Sequence, residues 1–539
     1  MTAIAPPPGT RTERKPSPIQ RGRAPLALWV LGLVAVVPAV SPIVYLLWNV
    51  LRAGVTDTGG ISGGRLTSLF LSTAILTVAV TATTALLGTA TAWLTTRTDL
   101  AGRRVWSTLV TVPLVIPSYV GALAMLGSSG NSGLMTEALR AVGLPGLPVF
   151  TGFWAAWGAL SLWNFSYVHL LAVPAIRRMD PALEEAARGL GSSRWTTLRT
   201  VVLPQLRPAL LSGSLLVSLY VLSDFGAVSL LRYETFTRAI YAQFRGRLDV
   251  TPALFLSGIL IVVALVLVWA EQRSRGRARL APVRPTRLAQ TVRLRGLARL
   301  ASYGFLAVVV IGALVLPLIT LGWWTIRGIS LGNPVDSVIP ELFRSASVSG
   351  VAAVVTVIAA IPLAILTIRH GGRRTRLLES VTWSTYSLPH LAVGLGFLVL
   401  AVRFVPPLYQ TVPLLLIAYV AMFLPQAMSS AQTGLRQIGT SIEEASRGLG
   451  AGLLATLRRV TLPLLWPSLL AGGALVFLTV MKELPATLLL RPTGFETLAV
   501  RIWSASSELF YTQASVAALV LVAVSAVPLY VLVARDLHD

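Results

Sequence analysis

The chain has 539 residues, of which 54% are hydrophobic and only 12% charged, about half the charge density of an ordinary soluble protein. That excludes a soluble enzyme. A formal net charge of +24 would in a soluble chain suggest nucleic acid. Here the arginines sit between apolar stretches and at the N-terminus, as the positive-inside rule requires, so no nucleic-acid partner is expected. With no cysteine, and with His169, His370, His390 and His538 too scattered to share a metal on one helix face, neither thiolate nor histidine metal sites are expected.

Residues 1–24 are rich in Pro and Arg and lack a cleavage site after an apolar region, so they read as a disordered cytoplasmic tail. Twelve apolar spans follow, each near the roughly 20 residues that cross a bilayer as helix. In the first half, residues 25–271, they lie near 25–51, 67–95, 105–127, 150–175, 209–231 and 253–270. A linker over 272–300 carries an arginine every few residues and no stretch long enough to span, which marks a solvated cytoplasmic hinge that fixes topology, with contact of its arginines to membrane lipid headgroups as the alternative. In the second half, residues 301–535, the spans lie near 301–326, 345–368, 378–401, 411–432, 468–490 and 513–534. The fold class is all-α membrane protein with about 12 transmembrane helices. Most arginines fall in the loops Arg97 to Arg104, Ile176 to Arg207, Glu271 to Arg299, Arg369 to Arg376 and Gly434 to Trp466, so these and both termini should be cytoplasmic.

The halves are repeats. Glu184-Glu185-Ala186-Ala187-Arg188-Gly189-Leu190-Gly191 returns as Glu443-Glu444-Ala445-Ser446-Arg447-Gly448-Leu449-Gly450, an offset of 259 (443 − 184). The same offset carries Pro204 onto Pro463, Asp224 onto Glu483 and Arg232 onto Arg491. Upstream, Arg97 matches Arg369 and Pro117 matches Pro389 at an offset of 272 (369 − 97), which places 13 extra residues around Gly127 to Gly152. Six spans per half make the repeat parallel, with a pseudo-two-fold axis along the membrane normal and the substrate path between the halves.

Ahead of the fifth span, Asp180-Pro181 signals a helix start, with Glu184 and Glu185 near its positive end and Gly189 to Gly191 ending it. Ser192 or Ser193 then caps a second short helix running to Pro204. In the other half Ser441-Ile442-Glu443-Glu444 reads as a capping box, followed by a helix that ends before Pro463. Helices this short are marginal alone in water, and a mere connector has little reason to appear twice with one spacing, so both loops are expected to dock on a partner.

Glu185-Ala186-Ala187, Gly191, Val201 and Leu203-Pro204, with the second copy Glu444-Ala445-Ser446, Gly450, Val460 and Leu462-Pro463, resemble the EAA loops of permease subunits of bacterial binding-protein-dependent ABC importers. The resemblance covers both halves. It implies the type I ABC importer permease fold, with cores at about 67–270 and 345–534, in the bacterial plasma membrane. It implies that Glu184, Glu185, Ala186, Ala187, Gly191 and Pro204, and likewise Glu443, Glu444, Ala445, Gly450 and Pro463, belong to helices seated on an ATP-hydrolysing subunit. It also implies an extracytoplasmic substrate-binding protein. The only lysines, Lys15 and Lys482, do not follow glycine, so no standard phosphate-binding loop is present. ATP and Mg are therefore expected on a partner ATPase, a homodimer because there are two loops, and the chain itself is expected to be non-catalytic.

A fused permease of this length is similar to the ferric iron and the thiamine permeases, and the stretches Ser223 to Val228 and Met481 to Pro492 look more like the ferric group. Asp224, Lys482 and Glu483 approach the membrane interior, where a charge costs on the order of 2.5 to 3.5 kcal/mol. Either Lys482 and Glu483 neutralise each other or snorkel, or Asp224 and Glu483 line an outer gate and offer hard oxygen ligands to ferric ion. Arg232 and Arg491 are candidate contacts for the binding protein. A secondary transporter shares the twelve-span plan but should carry more intramembrane acids or histidines than this one cluster.

Overall fold

A computed structural model describes residues 24–53, 60–246, 249–274, 291–334 and 336–538. All of the tail expected over 1–24 except Ala24, and residues 275–290 of the expected linker, lie outside the described residues. In a bilayer every backbone N–H must find a partner within its own segment, and the described chain meets that requirement with helices. The first half runs α1 (Leu26–Ala53), α2 (Gly63–Arg97), α3 (Arg103–Thr111), α4 (Ser118–Ser128), α5 (Leu134–Ala141), α6 (Gly152–Arg177), α7 (Pro181–Gly189), α8 (Arg194–Thr197), α9 (Leu203–Ser223), α10 (Gly226–Leu230), α11 (Phe236–Gly246) and α12 (Thr251–Ser274). The second runs α13 (Gly296–Val310), α14 (Leu316–Ser330), α15 (Ile339–Arg369), α16 (Arg373–Tyr386), α17 (His390–Phe404), α18 (Val412–Gln437), α19 (Thr440–Gly448), α20 (Leu453–Thr456), α21 (Leu462–Met481), α22 (Pro485–Leu490), α23 (Leu498–Ser507) and α24 (Tyr511–His538). Among the described residues ten helices are long and apolar enough to span, or twelve if each bent pair is one span.

Four of the expected spans are broken. Those near 105–127 and 378–401 are bent pairs, Arg103–Val115 with Ser118–Ser128 at 93° and α16 with α17 at 106°. Proline causes both bends: it donates no hydrogen bond and drives the preceding residue out of the helical region, leaving Ile116 at ψ 114° and Pro117 at ψ 148°, with Pro389 at ψ 119°. The spans near 209–231 and 468–490 end early, at Ser223 and Met481, and resume as the short α10 and α22.

The same two spans begin earlier than expected. The helix that should stop before Pro204 instead runs on through it, from α8 over a π turn at Leu198–Val202 into α9. Its copy passes Pro463 over a π turn at Leu457–Thr461, and Pro317 follows a third at Ile311–Val315. A π turn admits one extra residue, which relieves the clash between a proline ring and the preceding turn. The expected capping box at Ser441 is also absent. α19 starts at Thr440 with Gly439 as its cap, so Ser441 lies inside the helix, too late to serve as the N-cap of a box with Glu444.

Each half is built on a three-helix core, α2, α6 and α9 in the first and α15, α18 and α21 in the second. The first span of each half crosses over. α1 packs on α15 to α18 of the second half, and α13 and α14 pack on α3 and α4 of the first. Trp163 Nε1 donates to the Ala313 carbonyl at 3.0 Å and Trp324 Nε1 to the Gly127 carbonyl at 2.8 Å, fastening the second crossing. At the first crossing Gly396 lies so close to Pro42 that an added Cβ would come within 2.8 Å of the proline ring. The extra residues of the first half form α5 and the coil before α6.

Candidate functional site

The duplicated loops lie at the arginine-rich end of the bundle. In the first, Asp180 caps α7 by accepting the Ala182 N–H at 2.9 Å, Pro181 holds the first helical position and Gly191 turns the chain at φ +86°. Ser193 Oγ accepts the Thr196 N–H at 3.1 Å and starts the next helix. Gly450 makes the matching turn at φ +88°. The two glutamates of each motif have opposite fates. Glu184 is 7% exposed at its side chain and receives Arg97 Nη2 at 2.6 and 2.7 Å, from the end of α2. Glu443 takes Arg369 Nη2 at 3.0 Å and the Thr461 hydroxyl at 3.2 Å. Glu185 and Glu444, one residue on, are exposed. Ala186 and Ala445 are exposed beside them, with Ala187 half-buried.

Around each free glutamate stands an apolar cluster that composition alone does not reveal. Leu190 and Leu449 are 89% and 90% exposed, more than almost any side chain in the bundle wall. Leu183 and Trp195 join the first, and Ile442 and Leu454, at the same offset of 259, join the second. Of these, Leu183, Leu190, Ile442 and Leu449 lie outside the spans, whereas Trp195 and Leu454 stand at the first turn of theirs; large apolar side chains exposed outside a span are the kind that protein interfaces cover. The repeat register would have paired them, but only their solvent exposure distinguishes them from core leucines.

At mid-bundle the expected charges resolve into a second duplicated device. Asp224 Oδ1 accepts the N–H groups of Ala227 and Val228 at 3.0 and 3.2 Å, capping α10, and Oδ2 accepts the Ser118 hydroxyl. Glu483 Oε1 accepts the Ala486 N–H at 3.1 Å, capping α22, and Oε2 meets His390 Nδ1 at 2.8 Å. Ser118 and His390 are themselves matched by the 272 offset. Each carboxylate therefore ties the break after the fifth span to the proline bend of the third in its own half. Lys482 does not neutralise Glu483. Its Nζ donates to the Leu114 carbonyl at 3.0 Å, in the opposite half, and its own carbonyl accepts the Tyr119 hydroxyl at 3.4 Å.

Beside this device lies a polar patch between the halves. Tyr167 and Tyr220 pack ring on ring, 5.8 Å between centroids, and the Tyr220 hydroxyl donates to Ser118 Oγ at 3.4 Å. At the matching positions of the second half Gln426 accepts from Thr479 at 3.3 Å and donates to the Tyr386 hydroxyl at 3.1 Å. The offset of 259 relates Tyr167 to Gln426 and Tyr220 to Thr479, so the two walls share geometry and differ in chemistry. On the other end, Arg232 is exposed with its backbone at φ +57°, whereas Arg491 is half-buried and turned onto Glu496 at 3.5 Å and the Phe495 carbonyl at 3.2 Å. The expected pair is therefore not symmetric. Among the described residues no three His, Cys, Asp or Glu side chains converge as a metal site.

The family described as binding-protein-dependent transport system inner membrane component matches residues 84–271 and 356–535, one match in each half. The chain is 30% identical over 518 residues to the Fe(3+)-transport system permease protein FbpB 2 of Haemophilus influenzae, covering 95% of this chain and 98% of that one. It is 26% identical over 406 residues to the ferric transport system permease protein FbpB of Actinobacillus pleuropneumoniae, covering 70% and 58%. A shorter match, 26% over 192 residues, joins it to the sulfate transport system permease protein CysT of Escherichia coli, covering 34% and 68%.

Proposed function

The chain belongs to the family of binding-protein-dependent transport system inner membrane components, the membrane subunits of ABC importers, and from this premise we propose that it forms the ferric-iron pathway of such an importer. The observation that carries the mechanism is the pair of docking loops: each is held to its own half by a buried arginine–glutamate pair and presents a free glutamate within an exposed apolar cluster. In this reading the arginine-rich end faces the cytoplasm, with both termini, and two copies of an ATPase carry the ATP and Mg. The chain holds no catalytic group of its own. ATP binding draws the two loops together, the halves rotate about the pseudo-two-fold axis, and the path between them changes the side to which it opens. A binding protein delivers the cargo at the opposite end, where Arg232 is free to meet its acidic side chains. The division into a first half over 25–271, a linker over 272–300 and a second half over 301–535 belongs to the same proposal.

The choice of ferric iron rests on the relatives named for ferric transport, one of which matches 95% of this chain. The test is uptake of radiolabelled ferric iron by iron-starved cells lacking other ferric importers, with and without the chain, beside a Glu185→Arg, Glu444→Arg variant. Uptake should vanish on deletion and in the variant. Uptake unchanged by deletion overturns ferric iron; uptake lost on deletion but intact in the variant overturns the docking role of the loops.

A further inference from the structure

A cavity of about 1220 Å³ lies between α2, α7, the start of α9 and the start of α13; transport as described above draws on Glu184 and Glu185 at its rim but makes no use of its apolar wall. Its α2 wall runs from Ala85 to Arg97. Twelve helical rises make this about 18 Å deep, against roughly 15 Å for one leaflet's share of the hydrocarbon core. The deep wall is apolar, with Leu86, Ala90, Leu206, Leu210 and Phe305. Leu86 and Leu203 on its margin are 73% and 46% exposed, so the cavity opens sideways to the bilayer.

The rim is basic. Arg97, Arg188, Arg293 and Arg295 stand there against Glu184 and Glu185. Arg97 spends one amino group on Glu184, lies 5.2 Å from the centre of the Trp93 ring, and has no acceptor for its buried Nε and Nη1. The segment that carries the other two arginines is fixed in place: Val292 N–H donates to the Arg97 carbonyl at 2.7 Å and Leu294 N–H to Asp99 Oδ1 at 2.8 Å. The neighbouring linker cannot neutralise this rim, since it is itself arginine-rich. An apolar wall one leaflet deep beneath a rim with surplus cations has the shape and charge of one molecule class. We propose that this cavity binds an anionic glycerophospholipid, its phosphate at Arg293 and Arg295 and an acyl chain along α2 and α13. The depth separates a lipid from a free phosphate, which would fill only the rim.

The experiment titrates the delipidated full chain with phosphatidylglycerol brominated on its acyl chains and reads the part of tryptophan quenching that Trp93→Phe abolishes. Brominated phosphatidylcholine and inorganic phosphate are the comparison arms. Phosphatidylglycerol should quench at least tenfold more tightly than phosphatidylcholine, and Arg293→Ala with Arg295→Ala should weaken it about fivefold per arginine. Millimolar inorganic phosphate should leave the quenching unchanged. Equal affinity for the two lipids, unchanged affinity in the double variant, or displacement by phosphate would each overturn the proposal. The two substituted arginines are exposed, and Arg293→Lys with Arg295→Lys, which keeps the charge, should restore most of the affinity and so exclude misfolding as the cause.

Discussion

Two adjacent glutamates in each loop have the same chemistry and opposite work. Glu184 and Glu443 satisfy arginines that would otherwise be buried with an unpaired charge, while Glu185 and Glu444 face outward. Removing one partner of a buried pair leaves the other unsolvated, at about 3 to 5 kcal/mol. Glu184→Ala should therefore lower the thermal midpoint of the purified chain and its yield, whereas Glu185→Arg should leave both unchanged and abolish only the ATPase's response to the permease. Equal stability of the two variants would refute this division. Asp224 and Glu483 show the same economy: their oxygens cap α10 and α22 and hold Ser118 and His390, which fastens the broken spans. Asp224→Asn keeps an oxygen for the cap and should cost about 1 kcal/mol; Asp224→Ala loses cap and Ser118 bond together and should cost about 2 to 3 kcal/mol. Denaturation midpoints in detergent decide between them, and an alanine variant no weaker than the asparagine one rejects the capping role.

At the scale of elements, what is local was legible and what is not local was missed. The start of α7 follows from Asp180-Pro181, since an N-cap and a first-turn proline act within three residues. Its end follows from Gly191, whose backbone at φ +86° suits glycine. Gly191→Ala and Gly450→Ala should each cost about 1 to 2 kcal/mol through that left-handed backbone. The damage should stay local, appearing as faster amide exchange over 185–197 and 444–456 with the spans still protected. Protection unchanged in those segments would show that the turns tolerate a side chain. The passage of α9 and α21 through Pro204 and Pro463 was not legible, because a π turn has no composition of its own and is stabilised by the packing around it. Likewise Pro117 and Pro389 announce a bend but not its size, and the 93° and 106° angles arise from the carboxylate latches and the packing of α4 on α10 and α17 on α22.

At the scale of the molecule the halves are repeats in sequence but not separate bodies in space. α1 is covered by the second half, α13 and α14 by the first, and Phe225 packs on Trp503 across the interface at 4.8 Å. Gly226 fits only because it has no side chain: a Cβ there would meet Tyr119 at 2.6 Å and Leu484 of the other half at 3.2 Å. Two fragments divided between residues 280 and 290, outside the described residues, should each be degraded when made alone. Made together they should assemble, because each then supplies the span that covers the other's apolar surface. A stable first fragment on its own, judged by a sharp gel-filtration peak in detergent, would show that the crossing helices are dispensable.

Composition, arginine placement and the two constant offsets determine by themselves that this chain spans a membrane about twelve times, in two parallel halves, each with the same short helical loop before its fifth span, the first of which begins at a readable cap. Those properties are periodic or local, so residues near in sequence carry them. Tertiary structure alone decided which glutamate of each pair is buried, that Lys482 bridges the halves instead of meeting its neighbour Glu483, and that Tyr167 packs on Tyr220 while Gln426 bonds Tyr386. Each of those outcomes depends on helices that meet only after the chain has folded, when burial leaves a polar group no partner except the one the packing brings to it.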